Sequence, residues 1–496
     1  MKRFVATASA LMIAASCMRG PSSSSGVVVN DVHSQLNETR VDRIARPESI
    51  EDVQQIVRSA RSDKKAISIA GGRHAMGGQQ FGAGTVLLDT TALKRVVQLD
   101  PARGVVEVQA GITWPELIAS LERTQADKWP QWGIRQKQTG ADRLTLGGAL
   151  SANAHGRGLR FKPMIDDVES FRLVDPTGQI LTCSRTENPE LFRTAIGGYG
   201  LFGVITDLKL RLVRRQKVRR VVTLLDLDEL VPKIDERIAA GFLYGDLQFA
   251  IDPQSNDFLR RGVFSTYQPV PDDTPMPAAQ KELRPDDWRN LFLLAHADKP
   301  GAFQRYSAYY LSTNGQLYWS DTHQLAEYVD NYHADLDQKL GPQGSGTEMI
   351  SEIYVPRAEL PSFMQQVAAD FRKTGANVIY GTTRFIEPDT ESFLAWAKQR
   401  YACIIFNLHT AHDAKALDRT AADFRILIDR ALERGGSYYL TYHHWATRQQ
   451  VEAAYPQFRD FLKLKLKYDP EERFQSEWYR FYRKMFADVF AGRPAS

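Results

Sequence analysis

The stretch Ile69-Ala-Gly-Gly-Arg-His-Ala-Met-Gly-Gly78 restricts the fold more than any other part of the chain. The apolar run Lys65–Ala70 reads as a short buried strand, and Gly71 and Gly72 end it by permitting backbone angles that a side chain forbids. Successive amide N–H groups at such a turn can point into one concavity, which suits an anion such as a pyrophosphate. His74 projects from a loop otherwise short of side chains, within reach of whatever that backbone holds. A plain loop histidine is the competing reading, so the rest of the chain has to decide.

Two further glycine clusters follow. Thr145-Leu-Gly-Gly-Ala-Leu-Ser-Ala-Asn-Ala-His-Gly-Arg-Gly158 is small at nearly every position, so main chain can lie against a flat or extended ligand. The third cluster carries the spacing G-x-G-x-x-G at Gly198, Gly200 and Gly203, but a dinucleotide fingerprint needs a strand before it and a helix after it. Here Asn188–Ala195 reads as helix and Val204–Val213 alternates as strand. The order is reversed, which excludes NAD on a Rossmann fold.

A chain of 496 residues exceeds one ordinary core and favours two or three domains. A formal net charge of +4, with no concentrated basic block, gives no nucleic-acid footprint. Met1-Lys2-Arg3 followed by the apolar run Phe4–Ala15 has the layout of a secretory signal. Ala14-Ala15-Ser16-Cys17, with Ser22 to Ser25 behind it, resembles a lipoprotein processing site and tether, with ordinary cleavage nearby as the alternative. The chain is thus expected to be exported, either tethered to a membrane by a lipid at Cys17 or released by ordinary cleavage. Cys183 and Cys403 sit in apolar, strand-like surroundings and read as structural thiols.

Pro47–Val57 opens the folded part as a helix capped by Ser49, and Val86–Asp89 and Val105–Val108 read as strands. After Val213 the glycine clusters stop and a second domain begins, with Gln268–Trp288 expected as a loop excursion. From Gln449 a single helix is expected through Val451, Ala454, Tyr455, Phe458, Phe461 and Leu462, ending at Tyr468-Asp-Pro470. The organisation expected is a leader at 1–26, a first domain at 38–214, a second at 215–448 and a returning tail at 449–496.

Taken together, the three glycine clusters resemble the FAD-binding (PCMH-type) domain of the vanillyl-alcohol-oxidase type flavoproteins. The resemblance implies an α+β fold: a two-subdomain FAD-binding domain plus an α/β cap domain with an antiparallel sheet. It implies FAD-binding roles for Gly71, Gly72, Arg73, His74, Ala75, Gly77 and Gly78 in the first cluster. The second supplies Gly147, Gly148, Asn153, His155, Gly156 and Gly158, and the third Gly198, Gly200, Gly203, Val204 and Ile205. His74 stands where many members attach FAD covalently through its 8α-methyl carbon, and a neutral imidazole nitrogen suits that role. The second segment lacks the cysteine of doubly linked members, so one covalent bond is the maximum implied.

A narrower likeness lies in the second domain. His444-Trp445-Ala446 and Arg384-Phe385 resemble motifs of sugar-lactone and alditol oxidases, although Thr447 replaces the usual Lys and Thr382 the usual Glu. The region Gly435–Pro456 also resembles decaprenylphosphoryl-ribose oxidase, with Tyr442 in place of that family's lysine. Alternation in three expected strands sets Tyr380, Thr382 and Arg384 on one face, Asn407 and His409 on another, and Tyr442 with His444 on the third. The implied chemistry is hydride transfer from a carbinol carbon to flavin N5, on a polyol, sugar or sugar lactone. His444 is then the expected base, Arg384 the orienting cation and Tyr442 a hydrogen-bonding partner, with His443 structural. Oxygen or a quinone or protein is the implied electron acceptor, and an exported flavin-fold binding protein without turnover is the non-enzyme alternative. His409 and His412 could ligate zinc, but no second cluster has matching spacing, so no metal is expected.

Overall fold

A computed structural model of the chain describes residues 26–138, 140–326, 336–339 and 346–491. The expected leader, its processing site and Cys17 lie outside the described residues.

The first lobe begins with a parallel sheet in the order Arg43–Ala45, Val86–Asp89, Ile67–Ala70. Helix Ile50–Ser62 covers it through Val53, Val57 and Ala60. That helix starts where a capping box forms, Ser49 accepting from the Asp52 amide while Asp52 accepts from the Ser49 amide, which satisfies two otherwise orphaned donors. A second, antiparallel sheet runs Ile180–Ser184, Val168–Val174, Val204–Arg211, Val105–Gln109, Val96–Asp100. The glycine clusters occupy the turns and the short helix Leu146–Ser151 between these two sheets.

The second lobe is an eight-stranded antiparallel sheet. Its order is Leu317–Trp319, Lys217–Asp226, Arg261–Pro269, Tyr244–Phe249, Val378–Ile386, Tyr401–Ala411, Gly346–Pro356, Ser437–Tyr438. Helices Leu360–Thr374 and Ala414–Leu432 pack on each other and on strand Gly346–Pro356. Their apolar faces, with Phe363, Val367, Phe424 and Leu427 fully buried, meet Met349 and Ile353 of that strand in the main core. The opposite residues of the same strand, Glu348 and Ile350, face a cavity. Cys183 and Cys403 are buried and unbonded, and burial pushes the Cys183 thiol up to about 12, so it is inert.

The tail closes back onto the first lobe. The Ile67 amide donates to Arg473 O at 2.7 Å and the Gln475 amide to Ile67 O at 2.8 Å, so residues 473–475 extend the parallel sheet by one short edge. Phe474 drops into the core beside Val53, Val57 and Val86, worth about 1.5–3 kcal/mol of burial.

Three sequence expectations change. The tail helix is two helices, Arg448–Ala454 and Phe458–Tyr468, because Pro456 supplies no amide and disfavours helical angles at Tyr455. The excursion expected at 268–288 is shorter, since a strand runs to Pro269 and helix Pro285–Ala297 starts with proline in its first turn, placing Trp288 on helix. The expected strand Tyr438–His444 stops at Tyr438, where a turn at Leu440–Thr441 breaks the alternation.

Candidate active site

A cavity of about 1590 Å³ lies between the glycine clusters and the eight-stranded sheet. Gly71, Gly72, Arg73, His74 and Ala75 line it from the first cluster, Gly147 and Gly148 from the second, and Gly200, Gly203 and Ile205 from the third. At Gly148 and Gly200 a Cβ would stand in this space itself, its nearest atoms being Thr145 Oγ1 at 3.1 Å and Ile69 Cδ1 at 3.6 Å. Gly200 also holds φ +74°, which an L side chain rarely adopts. The amides of Gly72 and Arg73 have no acceptor among the described residues. A bare, donor-rich surface of this kind fits the diphosphate and planar ring of a flavin dinucleotide.

His74 reaches the cavity edge with its Nδ1 2.9 Å from His33 Nε2, the two rings 4.8 Å apart. Burial, then the neighbouring His33 and Arg143, pull the His74 imidazole down to about 3, so it is neutral at physiological pH. His33 belongs to a segment laid across the turn, fixed by the Val32 amide donating to Arg73 O at 3.0 Å. Nothing in the sequence marked His33 as a partner, because it is 41 residues from His74.

The facing wall carries side chains rather than bare backbone. Tyr380 and Arg384 on strand Val378–Ile386, Asn407 on Tyr401–Ala411, and Tyr442 line the cavity. Thr382 turns to Asp246 at 3.3 Å. Behind Arg384 and Tyr442 sits Glu352, buried on strand Gly346–Pro356, hydrogen-bonded to His155 Nε2 and near enough to Tyr442 to act on its phenol. Burial alone would raise the Glu352 carboxyl, but His155, Arg384 and Tyr354 outweigh it and hold it below the ordinary range. Burial and the adjacent Glu352 push the Tyr442 phenol well up, so it stays protonated, and it accepts from Gln138 Nε2 at 3.1 Å.

Several expected site residues lie elsewhere, each for a visible reason. His444 is not on the cavity: its Nδ1 lies 3.3 Å from Gly77 O and its ring packs on Phe481, because the turn after Tyr438 swings it behind the glycine loop. Gly77 and Gly78 face the same rear side, with the Trp478 amide donating to Gly78 O at 3.2 Å. His155 points away from the cavity toward Glu352. Asn153 binds Asp389, Ser392 and the Ile165 amide, locking the second cluster from below. Gly156, Gly158 and Gly198 are packing positions, where a Cβ would fall 2.7 Å from Lys137 O, 1.9 Å from Phe161 and 2.3 Å from Thr194 O. Val204 sits in the apolar core with Val53 and Val174. Thr447, where the family has lysine, caps helix Arg448–Ala454 by accepting from the Gln450 amide.

Residues 41–184 match the FAD binding domain family, and residues 347–482 match the D-arabinono-1,4-lactone oxidase family. L-galactono-1,4-lactone dehydrogenase of Brassica oleracea is 26% identical over 205 residues, 40% of this chain and 33% of that protein. Cytokinin dehydrogenase 8 of Oryza sativa subsp. indica is 30% identical over 200 residues, 37% of this chain and 36% of that one. The chain thus spans about a third of the length of these relatives. L-gulonolactone oxidase of Bos taurus is 22% identical over 440 residues, 86% of this chain and 92% of that protein. The FAD binding domain match thus covers the first two glycine clusters of the cradle, and the D-arabinono-1,4-lactone oxidase match covers the strands of the facing wall.

Proposed function

We propose that this protein is an FAD-dependent oxidoreductase that oxidises a CH–OH group of a polyol, sugar or sugar lactone. The observation that carries the reading is the arrangement of Arg384 and Tyr442 opposite the glycine cradle, with the Glu352–His155 pair directly behind them. FAD, when bound by the cradle, supplies the two-electron acceptor for a hydride leaving the carbinol carbon.

The chain's own residues account for the remaining hydrogen and the charge. A substrate hydroxyl placed at Tyr442 Oη passes its proton to that oxygen as the phenolic proton moves to Glu352, so no phenolate has to form. His155 holds the Glu352 carboxylate in place through its Nε2. Arg384, buried with its Nε lacking a partner among the described residues, orients substrate oxygens and offsets developing negative charge. This relay replaces the base role expected of His444. Glu352 stands in the same row as Thr382 two strands across the sheet, so the absence of Glu at 382 does not leave this wall without a carboxylate.

A CH–OH donor is favoured over an amine donor because the lactone-oxidase similarity covers the substrate wall, whereas the cytokinin dehydrogenase similarity spans only 37% of the chain. The L-gulonolactone oxidase relationship, running nearly end to end, favours oxygen as acceptor over a quinone or protein. His74, neutral and held by His33, is proposed as the single point of covalent FAD attachment. The leader residues support export and a lipid tether at Cys17, to be checked by membrane fractionation of Cys17→Ser.

Anaerobic mixing with a panel of aldonolactones, sugars and polyols tests the central reading. Bleaching of the flavin absorbance by at least one member is expected; a spectrum unchanged by every member refutes it. Reoxidation in air on the timescale of turnover identifies oxygen as acceptor. Retention of yellow colour in the acid-precipitated pellet, and its loss in His74→Ala, tests the covalent bond.

A further inference from the structure

Away from the proposed hydride-transfer site, three side chains from distant parts of the chain meet around one oxygen. His296 Nε2 lies 3.2 Å from Glu348 Oε1, and His409 Nδ1 lies 3.1 Å from the same atom. All the donor atoms of this trio fall within 4.8 Å of one another. His296 is on helix Pro285–Ala297, while Glu348 and His409 are direct register partners on adjacent strands. Two imidazoles and one carboxylate form a donor set suited to a borderline divalent cation. Metal bonds of about 2.0–2.2 Å at tetrahedral angles place neighbouring donors roughly 3.3 Å apart, close to the distance of each imidazole nitrogen from Glu348 Oε1.

A pair of imidazoles simply donating hydrogen bonds to a carboxylate is the plainer reading, and His409 does have that geometry. His296 does not: its side chain is 6% exposed, yet Nε2 makes no hydrogen bond among the described residues despite its nearness to Glu348. A buried imidazole nitrogen at ligand distance but out of hydrogen-bond alignment leaves its capacity unused, which a metal ion would satisfy. His409 is 28% exposed and Glu348 lines the cavity, so an ion has a way in.

We propose that His296, Glu348 and His409 form a zinc-class metal site that ties helix Pro285–Ala297 to the sheet beside the cavity. Leu291 and Ala295 of that helix line the cavity, so the ion would fix the position of the cover over its substrate end. Three protein ligands leave at least one coordination position for water or a substrate oxygen. Spacing in the sequence could not reveal this set, because the ligand that joins His409 is not His412 but two residues 61 and 113 positions earlier.

The test uses untagged, flavin-loaded full-length protein stripped with a chelator. Isothermal titration with zinc chloride is expected to give one site per chain, and zinc is expected to raise the melting temperature. Affinity should fall by more than about 100-fold in Glu348→Gln and in His409→Ala, since direct ligands matter more than the outer partners whose loss costs 10–100-fold. Failure of the wild-type protein to take up zinc, or undiminished uptake in a His296→Ala/His409→Ala double variant, overturns the proposal. Should a variant not fold, zinc-edge X-ray absorption of the wild-type protein decides: a shell with two imidazoles is expected, and one without imidazole refutes the site.

Discussion

The two walls of the cavity are built on opposite principles. The amino-terminal wall is main chain: glycines at 71, 72, 147, 148 and 200 line it, packed tightly against protein at 71, 72 and 147 and open to the cavity at 148 and 200. The facing wall is side chain: Arg384 and Asn407 project from long strands and Tyr442 from the turn after Tyr438, with the Glu352–His155 pair behind Arg384 and Tyr442. A cofactor common to many reactions is held by backbone, which any substitution with a larger side chain can only obstruct. A substrate is read by side chains, each of which can be exchanged. The contrast makes distinct predictions for the two walls.

The largest effect is expected where the side-chain wall is anchored. Glu352→Ala leaves His155 buried without its carboxylate partner, and denaturant unfolding should show a loss of about 3–5 kcal/mol. A loss below about 1 kcal/mol would mean the pair is not an anchor. Next, Arg384→Met should lower kcat by roughly 10²–10³ while flavin content stays at one per chain, the separation that the two-wall comparison requires. Arg384→Lys should recover little, because an ammonium does not reproduce the guanidinium fork.

On the backbone wall the signs invert. Gly148→Leu should weaken FAD retention about 10–100-fold, the overpacking cost of 1–3 kcal/mol, with chain stability unchanged or slightly raised, since glycine is a poor helix residue. Cofactor release without unfolding would confirm that the space is kept for a ligand.

A smaller effect concerns pH. His443, stacked 4.7 Å from Phe424 in the interior, is pulled down to about 3 by burial, then by His444 and Arg425. Its folded value lies below the unfolded value of 6.5, so below 6.5 the unfolded chain binds the extra proton. The neutral-state stability is therefore complete above 6.5 and declines as pH falls toward 3, by up to about 1.4 kcal/mol per pH unit. Melting curves should show a shallower acid slope in His443→Gln than in the wild type. The smallest change is expected for His444→Ala, which loses one bond to Gly77 O and about 1 kcal/mol, with kcat nearly unchanged. A fall of a hundredfold in kcat would return that histidine to the chemistry.

The same division explains what could be read from the sequence. The glycine clusters announce themselves because backbone function needs a local composition, and the reversal of helix and strand around Gly198–Gly203 was enough to exclude a Rossmann turn, as helix Pro189–Ala195 and strand Val204–Arg211 show. Strand Val378–Ile386 was legible from its alternation, which placed Tyr380 and Arg384 on one face. Alternation misled at His444, because nothing in the period of a strand says where it ends, and the turn at Leu440–Thr441 inverted the assignment. Glu352 was illegible for another reason. Its partner His155 lies 197 residues away, so its burial is explained only by pairing across the two lobes.

The edge that residues 473–475 add to the parallel sheet has a consequence for biogenesis. The Ile67 amide and carbonyl find their partners only when Arg473 and Gln475 exist, and Phe474 fills a gap beside Val53 and Val57. The nucleotide lobe therefore stays unfinished until residues 473–475, which follow the whole second lobe in the chain, have been made. The strand Ile67–Ala70 waits with one edge open while the second lobe is made.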